Sequence, residues 1–129
     1  MTPLSMLLLV KICVTGIFVT APFLTLPGRR LDAVVSAEAG SVRFYRLYGV
    51  AMLALLVAYG FGIAEAQAGR MPWGVIAMGI VSNGVPAVLF LNDRGSRQST
   101  LFGAFFAFIS VGLVAAALFP DSARLGARA

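Results

Sequence analysis

Four apolar runs, each about twenty residues long and set apart by short polar segments, constrain this chain more than any other feature. A helix of that length crosses the ~30 Å hydrocarbon core of a bilayer. The runs cover residues 4–26, 47–68, 73–91 and 101–119. In lipid every backbone polar group must find its partner within the chain, so runs of this kind span as helices. The expected fold is an all-α membrane protein: four transmembrane helices in an antiparallel up-down bundle, one domain over residues 1–129, with room for a short interfacial helix in the first loop. Composition agrees, because 60% hydrophobic against 12% charged residues is more apolar surface than a soluble core of this size can bury.

The second run is the most patterned. In AMLALLVAYGFGIAEAQAG, from Ala51 to Gly69, helical spacing gathers Ala51, Ala54, Ala58, Gly62, Glu65 and Gly69 into a sector of roughly 80°. Ala51, Ala54, Ala58 and Gly62 are the predicted helix-packing face, since small residues let a second helix approach closely. Leu53, Leu56, Val57 and Ile63 fall on the far side and are expected to meet acyl chains.

The first run reads as a retained helix in preference to a signal peptide. Val19-Thr20-Ala21 is a passable cleavage site, yet no basic residue precedes the apolar stretch and Lys11 lies in its middle. Pro22 deprives the Phe18 carbonyl of its helical donor, which predicts a kink or a frayed last turn. The loop that follows sets Arg29, Arg30, Arg43 and Arg46 against Asp32 and Glu38, and its middle reads as either an interfacial helix or a plain surface loop. Arg43, Phe44, Tyr45, Arg46 and Tyr48, with Trp73 after the Gly69-Arg70-Met71 turn, are predicted interfacial anchors. Pro72 suits the first turn of the third helix.

The third run is the most polar. Gly79, Ser82, Asn83 and Pro86 share one side, leaving Met78, Val81, Val85, Val88 and Leu89 for lipid. Ser82 and Asn83 are the predicted interhelical polar clamp, with such bonds worth roughly 0.6–2 kcal/mol. In the fourth run Gly103, Ala107, Ser110, Val114 and Ala117 form one stripe, and Phe102, Phe105, Ile109 and Leu113 another. Among the loops, Arg29, Arg30, Arg43, Arg46, Arg94 and Arg97 oppose Arg70, Arg124 and Arg128 on the other side. That imbalance places the first and third loops in the cytoplasm and both termini outside it, in a bacterial inner membrane.

Lys11 is the residue least at home, since a charge toward the bilayer centre costs roughly 2.5–3.5 kcal/mol on insertion scales. Glu65 lies near the end of the second run at a similar depth, so an intramembrane Lys11–Glu65 ion pair is expected, with Thr15 and Tyr59 nearby. The competing reading has Lys11 snorkelling to the headgroups and Glu65 wet or paired with Arg70. Expression and thermal stability of Lys11→Met decide between them: a loss rescued by adding Glu65→Gln supports the pair, and no change in either variant removes it.

The absences exclude more than the presences establish. The chain has no histidine, which rules out histidine-ligated haem, histidine-ligated zinc and any His base; no cofactor and no metal site are expected. The one cysteine, Cys13, has no intrachain partner. A net charge of +5 is better matched to anionic lipid headgroups than to nucleic acid. Small multidrug transporters share the size and span count but carry a buried glutamate in the first helix, where this chain has Lys11; the motifs of small fluoride channels do not occur. In span count and loop style the chain looks like small DoxX-like bacterial proteins, with no motif that transfers residue by residue. The expected function is a non-catalytic accessory or scaffolding subunit of a larger membrane complex, docking through small-residue helix faces; the expected partners are the lipid bilayer and either other membrane subunits or further copies of the chain, with no nucleic acid. The alternative is a small oligomeric transporter or channel with Lys11, Glu65 and Asn83 lining a polar path, and a lipid-modifying enzyme with Glu65 as base ranks behind both.

Overall fold

The structure, a computed structural model, describes residues 1–35, 42–92 and 97–126. The middle of the first loop with Glu38, the third loop with Asp93 and Arg94, and Arg128 in the tail lie outside the described residues. Every regular element among the described residues is helical, and four helices are long and apolar enough to cross a membrane: Pro3–Thr25, Val42–Gln67, Trp73–Asn92 and Ser99–Leu118. These are the spans of a small integral membrane protein. By contact the chain falls into two compact units, Leu9–Phe61 and Met1–Leu8 with Gly62–Ala129.

The unit Leu9–Phe61 holds most of α1 (Pro3–Thr15), a π-helical turn (Gly16–Thr20), α2 (Ala21–Thr25), α3 (Gly28–Val35) and the first part of α4 (Val42–Gln67). Just ahead of Pro22, where a kink or a frayed last turn is expected, the chain widens into the π turn, in which the Ala21 amide reaches back to the Gly16 carbonyl. A wider turn just ahead of the proline relieves the clash between its ring and the preceding turn, and the helix then continues to Thr25. The first span and α4 run antiparallel: a Cβ placed on Gly16 would lie 3.6 Å from Leu56, and one on Gly49 would lie 2.9 Å from Leu24. Leu56, expected to meet lipid, is 8% exposed, because Gly16 lets it in.

In the unit Met1–Leu8 with Gly62–Ala129, Thr2 caps α1. Its hydroxyl accepts from the Ser5 amide at 3.1 Å, the Ser5 hydroxyl donates to the Thr2 carbonyl at 2.8 Å, and Pro3 takes the first helical position, where a missing N–H costs nothing. At the other end of α4 the Gly69 amide donates to the Ala66 carbonyl and the Arg70 amide to the Glu65 carbonyl, with Gly69 at φ 73°. That is a Schellman closure, and it needs a residue that tolerates the left-handed region. Gly69→Val is expected to lower stability by about 1–2 kcal/mol in a detergent melt, with Gly74→Ala as the control, since a Cβ at Gly74 meets nothing within 4 Å. Equal melting of the two variants would remove the strain argument.

The helices α5 (Trp73–Asn92) and α6 (Arg97–Leu118) form an antiparallel hairpin in this unit. Phe90 stacks on Phe106 at 5.9 Å, a Cβ on Gly103 would lie 2.8 Å from Leu91, and Ser110 meets Gly84 and Ile80 further along. A short α7 (Pro120–Ala123) follows. On α5 the buried row is Ile76, Gly79, Asn83 and Ala87, with Val81, Val85, Val88 and Leu89 exposed on the surface that the spacing gives to lipid. On α6 the expected small stripe is only partly the buried one. Ile109 and Leu113, assigned to the other stripe, are fully buried, and Val114 is exposed. Bulky aliphatic side chains fill the space there, while the small residues set how closely the backbones approach.

Candidate functional site

Lys11 is buried at 4% exposure, one turn before Thr15 at 3%. The π turn shifts the next position on this face by one residue, which brings Thr20, at 4%, into the same row. The Thr15 and Thr20 hydroxyl oxygens have no hydrogen-bond partner among the described residues. Thr25 shows the usual solution, its hydroxyl donating to the Ala21 carbonyl at 2.8 Å. From the pairing of Gly16 with Leu56, Lys11 lies level with the turn of α4 that carries Tyr59, which is 1% exposed. Burying two unpaired hydroxyls on the face that carries Lys11 is costly in an apolar setting. Thr20 was not singled out from the sequence, because a uniform helical wheel turns it away from Lys11 and Thr15.

Glu65 belongs to the other unit, half-buried one turn before the Gly69 closure. Asn83 is fully buried in α5; its amide nitrogen donates to the Gly79 carbonyl of the same helix at 2.6 Å and approaches the Ser82 hydroxyl at 3.5 Å. The Ser110 hydroxyl of α6 reaches the Ile80 carbonyl at 3.5 Å, a cross-helix bond one turn from Asn83 that sequence reading did not assign. In the same unit an apolar cavity of about 470 Å³ opens between the start of α1 and the end of α6, lined by Leu4, Leu7, Gly112, Ala116 and Phe119 among others. No three Asp, Glu or Cys side chains gather among the described residues.

The predicted anchors divide into two kinds. Arg43, Phe44, Tyr48 and Trp73 are exposed, with Phe44 at 72%. Tyr45 and Arg46 turn inward. The Arg46 guanidinium donates to the Phe23 carbonyl at 2.9 Å and the Leu26 carbonyl at 3.0 Å, closing the end of the first span, and the Tyr45 hydroxyl donates to Asp32 at 2.6 Å. Phe23 packs against both Tyr45 and Tyr48, 5.9 and 5.0 Å between ring centres. These residues also start α4 at Val42, about five residues (~7 Å) ahead of the expected boundary at 47, because the polar first turn is helical.

The predicted packing face of α4 is exposed at its start and buried at Gly62. Ala51 and Ala54 are exposed and Ala58 is half-buried, whereas Gly49, Leu56, Tyr59, Gly62 and Ala66 are buried. Gly62, the one fully buried member of the predicted set, approaches Val75 and Leu8 closely enough that a Cβ would lie 2.9 and 3.2 Å from them. Comparison with protein-family models, curated proteins and solved structures finds no match to this chain.

Proposed function

We propose that this chain is a non-catalytic accessory or scaffolding subunit of a larger complex in a bacterial inner membrane, working without a cofactor of its own. The observation that carries this reading is the uncovered small face of α4. Ala51 and Ala54 stand exposed beside a row, Gly49, Leu56 and Tyr59, that the chain's own packing uses instead. Without a hydrophobic drive in lipid, close approach over small residues is a main source of helix association. In this reading the four spans form an up-down bundle, α3 lies in the headgroup layer, both termini face away from the cytoplasm, and the Ala51–Ala54 face receives a helix of another subunit.

The test is native mass spectrometry of tagged protein drawn from its own membranes in a mild detergent. A stoichiometric foreign polypeptide is expected, lost in Ala54→Leu while the subunit's own melting temperature holds, because Ala54 is exposed. A clean homo-oligomer overturns the accessory role. It would move the reading to a small oligomeric transporter or channel, which the burial of Lys11, Thr15, Thr20 and Asn83 inside the spans favours. In that case Glu65→Gln and Lys11→Met are expected to abolish flux while assembly persists.

A further inference from the structure

We propose that Arg29, Arg30 and Arg43 form a binding surface for the headgroup of an anionic phospholipid, whose first acyl carbons lie over Phe44 and Leu47. Charge complementarity carries it. Arg29 and Arg30 stand exposed in the first turn of α3, a turn with no acidic residue, where the helix dipole already contributes positive potential. Arg43 joins them because Gly28 and Val42 are in close contact: a Cβ on Gly28 would lie 2.6 Å from Val42 Cγ2, and each of these residues is followed directly by one of the arginines.

Among the described residues the acid at this end already has a partner, and the fourth arginine is used within the fold. Asp32, the only acid among the described residues of α3, accepts the Tyr45 hydroxyl at 2.6 Å, and Arg46 is spent on the Phe23 and Leu26 carbonyls. Three exposed arginines are therefore carried by neighbouring turns of α3 and α4, with no ion pair to any of them among the described residues. Leu31, fully buried, keys α3 down on its opposite side, so the arginines are held outward on an ordered element. In the first two turns of α4, next along the chain from Arg43, Phe44 at 72% and Leu47 at 59% exposure supply apolar surface. A phosphodiester bearing a net negative charge above hydrocarbon matches this combination; guanidinium forks bind phosphate oxygens in pairs, and a zwitterionic choline headgroup would bring a cation to the same place.

The experiment uses the full chain in maltoside micelles, titrated with dioctanoyl phosphatidylglycerol or dioctanoyl phosphatidylcholine, with retained lipid counted by native mass spectrometry. One phosphatidylglycerol per chain is expected to survive, with phosphatidylcholine at least tenfold weaker. At about fivefold per arginine near an anionic headgroup, Arg43→Gln should weaken retention about fivefold and the triple Arg29→Gln, Arg30→Gln, Arg43→Gln variant about a hundredfold. All three side chains are exposed, so the melting temperature should stay within about a degree or two of the parent. Arg70→Gln, at an exposed arginine in the other unit, should leave retention unchanged. Equal retention of the two lipids, full retention by the triple variant, or an equal loss in Arg70→Gln would each overturn the proposal. Glycerol 3-phosphate at matched concentration should fail to displace the lipid, and displacement would assign the surface to free phosphate and overturn the lipid assignment.

Discussion

Arg46→Met is expected to lower the stability of the protein by about 2–3 kcal/mol, a larger effect than any exposed arginine will give. A charged donor bonded to a carbonyl contributes ~1.5–3 kcal/mol, and Arg46 makes two such bonds, to Phe23 at 2.9 Å and Leu26 at 3.0 Å. The two do not add fully, because water at the headgroup level can replace part of what is lost. The carbonyls also belong to the last turn of a helix, where the partial negative charge favours a cation. Methionine keeps the apolar stem and removes only the guanidinium. Arg46→Lys should fall between, since one ammonium cannot satisfy two carbonyls with the fixed fork that Arg46 uses. Chemical or thermal denaturation in bicelles, with Arg43→Met as the exposed comparison, measures this directly. A melting curve for Arg46→Met that overlays the parent would show that the clamp contributes nothing to the fold.

That arginine also marks the limit of what the sequence makes legible. The four spans are readable because length and hydropathy are local properties, and lipid tolerates few alternatives. The turn at Gly69-Arg70-Met71 and the outward row of Val81, Val85 and Val88 are readable for the same reason: each depends on local sequence alone. Arg46 sits in a basic, aromatic segment that looks like any interfacial anchor. Its partners are carbonyls twenty and twenty-three residues away by sequence, placed near it only by the reversal of the chain. Thr20 was hidden differently, since a π turn moves every later side chain around the helix axis and a fixed 100° wheel has no term for it. On α4, periodicity identified Ala51, Ala54, Ala58 and Gly62 as sharing a face. It could not say which neighbour covers that face, and the chain covers Gly62 while leaving Ala51 and Ala54 open.

Gly103→Leu is expected to unlock the α5–α6 hairpin. A Cβ at Gly103 would lie 2.8 Å from Leu91 Cγ, 3.0 Å from Leu91 Cδ2 and 3.1 Å from the Leu91 backbone nitrogen. The leucine side chain can rotate away, whereas the backbone nitrogen cannot, so the helices must separate or slide. Separation also weakens the neighbouring contacts of Phe90 with Phe102 and Phe106, at 6.1 and 5.9 Å, on the same side of the crossing. Overpacking a tight site typically costs about 1–3 kcal/mol, and the lost close approach has no hydrophobic effect to replace it in lipid, so a loss at or above the top of that range is expected. Gly60 provides the contrast, because a Cβ there meets nothing within 4 Å, and Gly60→Ala should be neutral or stabilising by up to ~1 kcal/mol through helix propensity. The two variants together separate close packing from backbone flexibility. If both destabilise alike, glycine is needed in these helices for its freedom; if only Gly103→Leu does, it is needed for the space beside Leu91.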